Sequence, residues 1–214
     1  MKVSKSIIIT VLIGSFVLLM AGVLVFAYFA YFDEIDNDMT VAHNTVEVSE
    51  VFDPPSEQTT GDNIFKKEVT VKNTGGSPCY IRVYVDFSDN FVRSRSFISD
   101  GTNPDDLTFY SAERIIDSSD DIVTFIEHVN SGSDWKFVPD NSGTVLSGYY
   151  YYKQPVGTGE ATPLLMTYVK TVNPTQDDID QYDIFVYSES TQITDMNGDE
   201  YADWEAAWTD YLSR

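Results

Sequence analysis

The sequence predicts an all-β protein: a jelly-roll-like β-sandwich with one inserted helix and a short C-terminal helix. Three observations carry this. Short segments in which apolar and polar residues alternate recur along the chain, separated by turn residues. Hydrophobic residues make up 43 % and aromatics 14 % of the 214, enough for a packed core despite a formal charge of −21. Helical periodicity is confined to two places. Many short strands joined by turns argue for two packed sheets.

The chain opens with Lys2 and Lys5, then an apolar run from Ile7 to about Phe32, and residues 1–30 contain no acid. A basic start followed by an apolar stretch is what export machinery reads. The run also exceeds the roughly 20 residues needed to span a bilayer. Residues 1–30 are therefore read as a signal peptide, with a retained membrane anchor as the alternative. Cleavage after Ala27 would leave Val25 and Ala27 at the positions where a peptidase prefers small or aliphatic residues. In either case the acidic part lies outside, with Lys2 and Lys5 inside. Residues 31–214 form the secreted domain. Losing residues 1–30 removes two lysines and no acid, leaving 11 basic residues against 34 acidic ones, a formal charge of −23.

Within that domain, residues 68–72 alternate, and Asn73-Thr74-Gly75-Gly76-Ser77-Pro78 supplies turn chemistry. In Cys79–Phe87, Ile81, Val83, Val85 and Phe87 share one face, with Arg82 and Asp86 on the other. These two segments are expected to pair as a hairpin. Further strands are expected at 45–52, 135–138, 148–153, 164–171 and 184–191. Tyr149, Tyr150, Tyr151 and Tyr152 place two rings on each face of a strand, where cross-strand packing is the usual role. Ser119-Asp120-Asp121 reads as a helix start, followed by Ile122, Phe125, Ile126 and Val129 on one stripe. Trp204, Ala207, Trp208 and Tyr211 repeat that spacing near the C-terminus. Residues 88–134 read as a helix-containing excursion between strands of one domain.

Charge excludes nucleic acid as a partner, since a polyanion would be repelled, and it disfavours docking on anionic lipid. His43 and His128 are the two histidines, and neither belongs to a His-Glu-x-x-His pair. No Gly-x-Ser-x-Gly or phosphate-binding loop occurs, and Ser131-Gly132-Ser133 has nothing to mark it as a nucleophile. A catalytic site is not expected. Cys79 is the lone cysteine, so no intrachain disulfide can form, and its expected role is that of a small residue packed at a strand start. One metal constellation stands out. Asp195, Asn197, Asp199 and Asp203 occupy positions 1, 3, 5 and 9 of a calcium-type loop. Glu200 stands where that loop needs glycine, and Ala206 where it needs a bidentate acid. The competing reading is a polar turn leading into the C-terminal helix.

Four passages are similar to one known family. They are Ala30-Tyr31-Phe32-Asp33 with His43-Asn44-Thr45-Val46-Glu47-Val48; Phe65-Lys66-Lys67-Glu68-Val69-Thr70-Val71-Lys72-Asn73-Thr74-Gly75 leading into Cys79-Tyr80-Ile81-Arg82-Val83; Gly148-Tyr149-Tyr150-Tyr151-Tyr152 with Gly159-Glu160-Ala161-Thr162-Pro163-Leu164-Leu165; and Tyr182-Asp183-Ile184-Phe185-Val186-Tyr187-Ser188-Glu189-Ser190-Thr191-Gln192 ahead of Trp208. In their order and spacing the chain resembles the TasA/camelysin family of exported Gram-positive proteins. The resemblance implies a jelly-roll sandwich, release near Ala30 by a specialised signal peptidase, and a role as a biofilm-matrix or fibre subunit. The metallopeptidase label attached to camelysin is not carried over, because its usual ligand motif is missing.

Self-association into a homopolymer is the expected function. The assembly strand comprises Asn44, Val46, Val48 and Val51, in a segment able to add to a neighbour's sheet edge. Head-to-tail contacts of this kind are open-ended. Pairing of this strand only within its own sandwich is the competing expectation. The high negative charge should oppose assembly until salt, divalent cations or acid reduce it. The alternatives are a membrane-anchored surface adhesin and a ligand-binding sandwich using the tyrosine row or residues 88–134.

Overall fold

The computed structural model describes residues 44–53, 58–113, 123–132, 134–140, 148–178 and 182–214. The expected export segment 1–30, its expected cleavage points, His43 and the expected Ser119 helix start lie outside the described residues.

Nine strands and three helices are described. The strands are β1 (Val46–Asp53), β2 (Gly61–Asn73), β3 (Cys79–Phe87), β4 (Ser96–Ser99), β5 (Tyr110–Ser111), β6 (Trp135–Pro139), β7 (Gly148–Tyr152), β8 (Met166–Asn173) and β9 (Ile184–Gln192). The helices are α1 (Asn90–Ser94), α2 (Phe125–Ser131) and α3 (Trp204–Ser213). No described helix is long and apolar enough to cross a membrane. One sheet has the order β1-β2-β8-β4-β5 and the other β6-β7-β3-β9, with every strand pair antiparallel. Consecutive β2 and β3 lie in opposite sheets, and they pair with β8 and β7, which are also in opposite sheets. That rolled ribbon gives the sandwich its jelly-roll-like winding.

Alternation places the core. Val69 and Val71 of β2, Ile81 and Val83 of β3 and Val169 of β8 are fully buried between the sheets. The expected β2–β3 hairpin does not form. A hairpin would put these valines and Ile81 in one sheet, with nothing opposite to bury them. Instead residues 74–78 arch from one sheet to the other. Buried Asn73 holds the arch: its amide donates to the Ser77 carbonyl at 2.8 Å and the Val156 carbonyl at 2.9 Å, and its oxygen accepts from Gly75 N–H at 2.9 Å. Turn residues by themselves do not distinguish an arch from a hairpin, because both need the same local reversal.

Residues 88–134 contribute to the first sheet. They supply β4, which pairs with β8, and β5 beyond it. They also carry two short helices instead of one. Asp89 caps α1, accepting from Phe91 and Val92 N–H. The cap of α2 is Thr124, not Ser119: its hydroxyl accepts from Glu127 N–H while the Glu127 carboxylate accepts from Thr124 N–H, a reciprocal capping box. Phe125, Ile126 and Val129 are buried, as the stripe requires.

Helix α3 starts at an Asp203 cap and lies on the outer face of the second sheet, where Ala207 and Trp208 pack on Tyr80 and Tyr151. The helix covers the charged face of β3. Arg82 is only 6 % exposed beneath the helix. On β7 the rings divide as the alternation predicts: Tyr150 and Tyr152 pack toward the main core, Tyr149 and Tyr151 toward α3. Gly148 starts that strand because a Cβ there would collide with the Val138 carbonyl oxygen and meet the Phe137 ring at 2.7 Å.

Candidate assembly site

A sandwich has two flanks, each formed by the edge strands of its sheets. On one flank the edges are β5, of two residues, and β6, of five, and α2 packs against both. On the other the edges are β1, of eight residues, and β9, of nine, and these two pack against each other across the core. No described strand pairs with the outer edge of either.

Antiparallel pairing dictates which backbone groups that edge leaves open, because bonded and non-bonded residue pairs alternate. Thr74 N–H donates to the Thr45 carbonyl in the β1–β2 register, so Val46, Val48, Glu50 and Phe52 direct their backbone groups away from β2. Ser88 N–H donates to the Asp183 carbonyl in the β3–β9 register, which turns out Ile184, Val186, Ser188 and Ser190. Rows of free donors and acceptors are a template for another strand.

The expected assembly residues fall unevenly on this flank. Asn44 precedes β1 and accepts a hydrogen bond from the Ser77 hydroxyl at 3.2 Å. Val46 and Val48 are half-buried against the core. Val51 is 47 % exposed on the opposite face, since a step of three along a strand reverses the side chain. Throughout its length β1 pairs with β2 of its own chain.

The same strand carries a contact that the sequence reading missed. Lys67 of β2 is 5 % exposed, on the face shared with Phe65, Val69 and Val71. Its ammonium donates to the Glu50 carboxylate at 2.6 Å and lies 5.0 Å from the centre of the Phe52 ring. Both contacts come from β1. The signal was available: Lys67 occurs in phase with the apolar residues of an alternating strand, where a cation needs a partner.

A second charged group is buried under α3. Arg82 donates to the Glu189 carboxylate and to the Tyr151 hydroxyl at 2.9 Å, between the rings of Tyr149 at 3.9 Å and Trp208 at 4.5 Å. Tyr149 in turn shares a 2.8 Å hydrogen bond with Tyr187, and burial followed by that bond pushes its phenol above the usual range. These contacts hold the C-terminal helix on its sheet.

The calcium-type residues lie in a local turn and a helix cap. The Asp195 carboxylate accepts from Asn197 N–H at 2.8 Å and Asp199 N–H at 2.9 Å, and the Asp199 bond, foremost, holds its pKa below the ordinary value. The Asn197 amide also donates to Asp195. Gly198 closes the turn at φ 88°, and Asp203 faces Ala206 N–H as the α3 cap. Among the described residues no three His, Cys, Asp or Glu side chains gather as metal ligands. His128 stacks on Tyr110 at 3.8 Å and meets Asp100 at 2.8 Å, while Glu127 is engaged in its capping box. Cys79 is fully buried, as a packed strand-start residue should be, and burial pushes its thiol up to about 11.

Comparison with protein-family models, with curated proteins and with solved structures finds no match to this chain.

Proposed function

We propose that this chain is an exported structural protein of the cell surface or extracellular matrix that assembles into fibres by exchanging β1 between copies. The carrying observation is the open flank, where β1 is a long terminal edge strand held to its sheet by β2 alone. Every hydrogen bond that β1 makes with its own β2 can be made with the β2 of another copy. Exchange that runs from copy to copy without closing gives a filament. The resemblance to the TasA/camelysin family and the apolar, acid-free start of the chain agree with this reading. So does the charge: about −23 per subunit would keep copies apart until salt or acid screens it.

The test is to remove residues 33–50 from the chain that begins at residue 31 and to image both proteins by negative stain. Fibres are expected from the longer protein and none from the shorter, with near-UV circular dichroism reporting whether the shorter one keeps its packed core. Normal fibres from the shorter protein would sink the proposal.

A second reading is favoured by one feature. Phe185 and Tyr187 are exposed on the outer face of β9, with Tyr187 stacked on Tyr84 at 4.9 Å. An adhesin would use this aromatic surface, and Tyr187→Ser would then abolish surface attachment while leaving fibres intact. Neither reading assigns a catalytic step. A peptidase assay with and without chelator tests the camelysin label.

A further inference from the structure

We infer that the Glu50–Lys67 pair selects the strand that each sandwich accepts: the fitting partner is the β1 segment of another copy, carrying a carboxylate at position 50. This rests on the exchange of β1 proposed above. Lys67 is almost wholly buried, and among the described residues its ammonium has one hydrogen-bond partner, Glu50, and one aromatic neighbour, Phe52. Both belong to β1, so a departing β1 removes every described contact that compensates the buried cation. A buried charge without its partner is strongly unfavourable. An incoming strand is therefore held only if it restores the carboxylate.

Geometry makes the pair a register gauge as well. Lys67 stands opposite Phe52 and diagonal to Glu50, which itself faces Val69. A slip by one residue turns Glu50 to the other face of the sheet, and a slip by two carries it along the strand away from Lys67. The valines at 46, 48 and 51 would tolerate other apolar partners. The ion pair would not, and a repulsive mismatch is what separates correct from incorrect partners.

Charge reversal tests this with the chain from residue 31 onward, which contains the whole sandwich. Glu50→Lys alone and Lys67→Glu alone each place like charges together, within a chain and between identical copies. Mixed, each variant's strand matches the other's acceptor. The inference expects little polymer from either variant separately and fibres of strictly alternating composition from the equimolar mixture. The double variant Glu50→Lys/Lys67→Glu restores the pair within one chain and so guards against a single variant that fails to fold. It should polymerise by itself yet enter wild-type fibres about tenfold less often or worse, read by two-colour fluorescence. Wild-type fibres that incorporate the double variant freely, or a mixture no better than its components, would overturn the role of the pair and leave β1 exchange standing. Absence of fibres from the wild type itself would overturn the exchange, and this inference with it.

Discussion

On one flank of the sandwich, β5 and β6 contribute two and five residues beneath α2; on the other, β1 and β9 contribute eight and nine with no described strand paired to their outer edges. The first arrangement removes an edge by shortening and covering it. The second has no described strand on its outer backbone groups and relies on charge, with Glu47 and Asp53 exposed on β1. Both are ways to keep an edge from pairing at random. They differ in what can undo them. A covered edge opens only when its helix leaves, whereas a charged edge becomes available when charge is screened or matched. Where a protein is built to associate, the second kind of edge is the one to keep.

Four changes would break or sharpen this contrast. The largest effect is expected on the open flank, from Glu50→Ala. It strips the buried Lys67 of its carboxylate and should cost about 3 kcal/mol in denaturant unfolding, at the low end for a broken buried pair because Glu50 is itself part-exposed. A change below 1 kcal/mol, about a surface pair's worth, would mean that Lys67 reaches water unaided. On the closed flank, Gly148→Ala forces a methyl against the β6 backbone and should cost about 2 kcal/mol by the same measurement.

Thr124→Ala removes half of the capping box that anchors α2 over the closed flank, at about 1 kcal/mol. Its pH dependence has a definite sign. The backbone hydrogen bond from Thr124, then the hydroxyl, hold the Glu127 pKa below its ordinary 4.5. Its contribution is therefore present above pH 4.5 and lost as pH falls through the lower folded value. The gap between wild type and Thr124→Ala, followed by thermal melts, should narrow over that window. The smallest effect is expected from Ser188→Pro, which removes an outward N–H from β9 without breaking a bond to β3. Fibres should persist if β1 exchange is the route; their loss would identify direct addition to the β9 edge instead.

Much of this fold was legible in advance. The strand at Cys79–Phe87 has the predicted bounds, and the other predicted strands differ from the observed ones mainly at their ends. Their alternation is local, so no knowledge of neighbours is needed to see it. β4 and β5 were not legible, because Ser96-Phe97-Ile98-Ser99 and Tyr110-Ser111 are too short to show a period. The α2 start was misread since Ser119 and Thr124 are both acceptable caps, and which one is used depends on where the helix must pack. The burial of Arg82 was not legible, because nothing near it in sequence announces that Trp208, 126 positions later, will cover it. In β1 the strand is legible but its faces are not: Val51 lies on the face opposite Val46 and Val48, and the alternation alone does not announce the Lys67 contact.

The amino-acid sequence by itself determined where the longer strands are, which face of each is apolar, and how acidic residues 31–214 would be. These properties reside in single residues and in steps of two along the chain. Only the tertiary structure decided that β2 and β3 part into opposite sheets, that no described strand pairs with the outer edges of β1 and β9, and that a lysine of β2 takes its counter-charge from β1. Those outcomes come from pairings between distant segments, where the requirement to bury two apolar faces against each other outweighs the local preference of a turn.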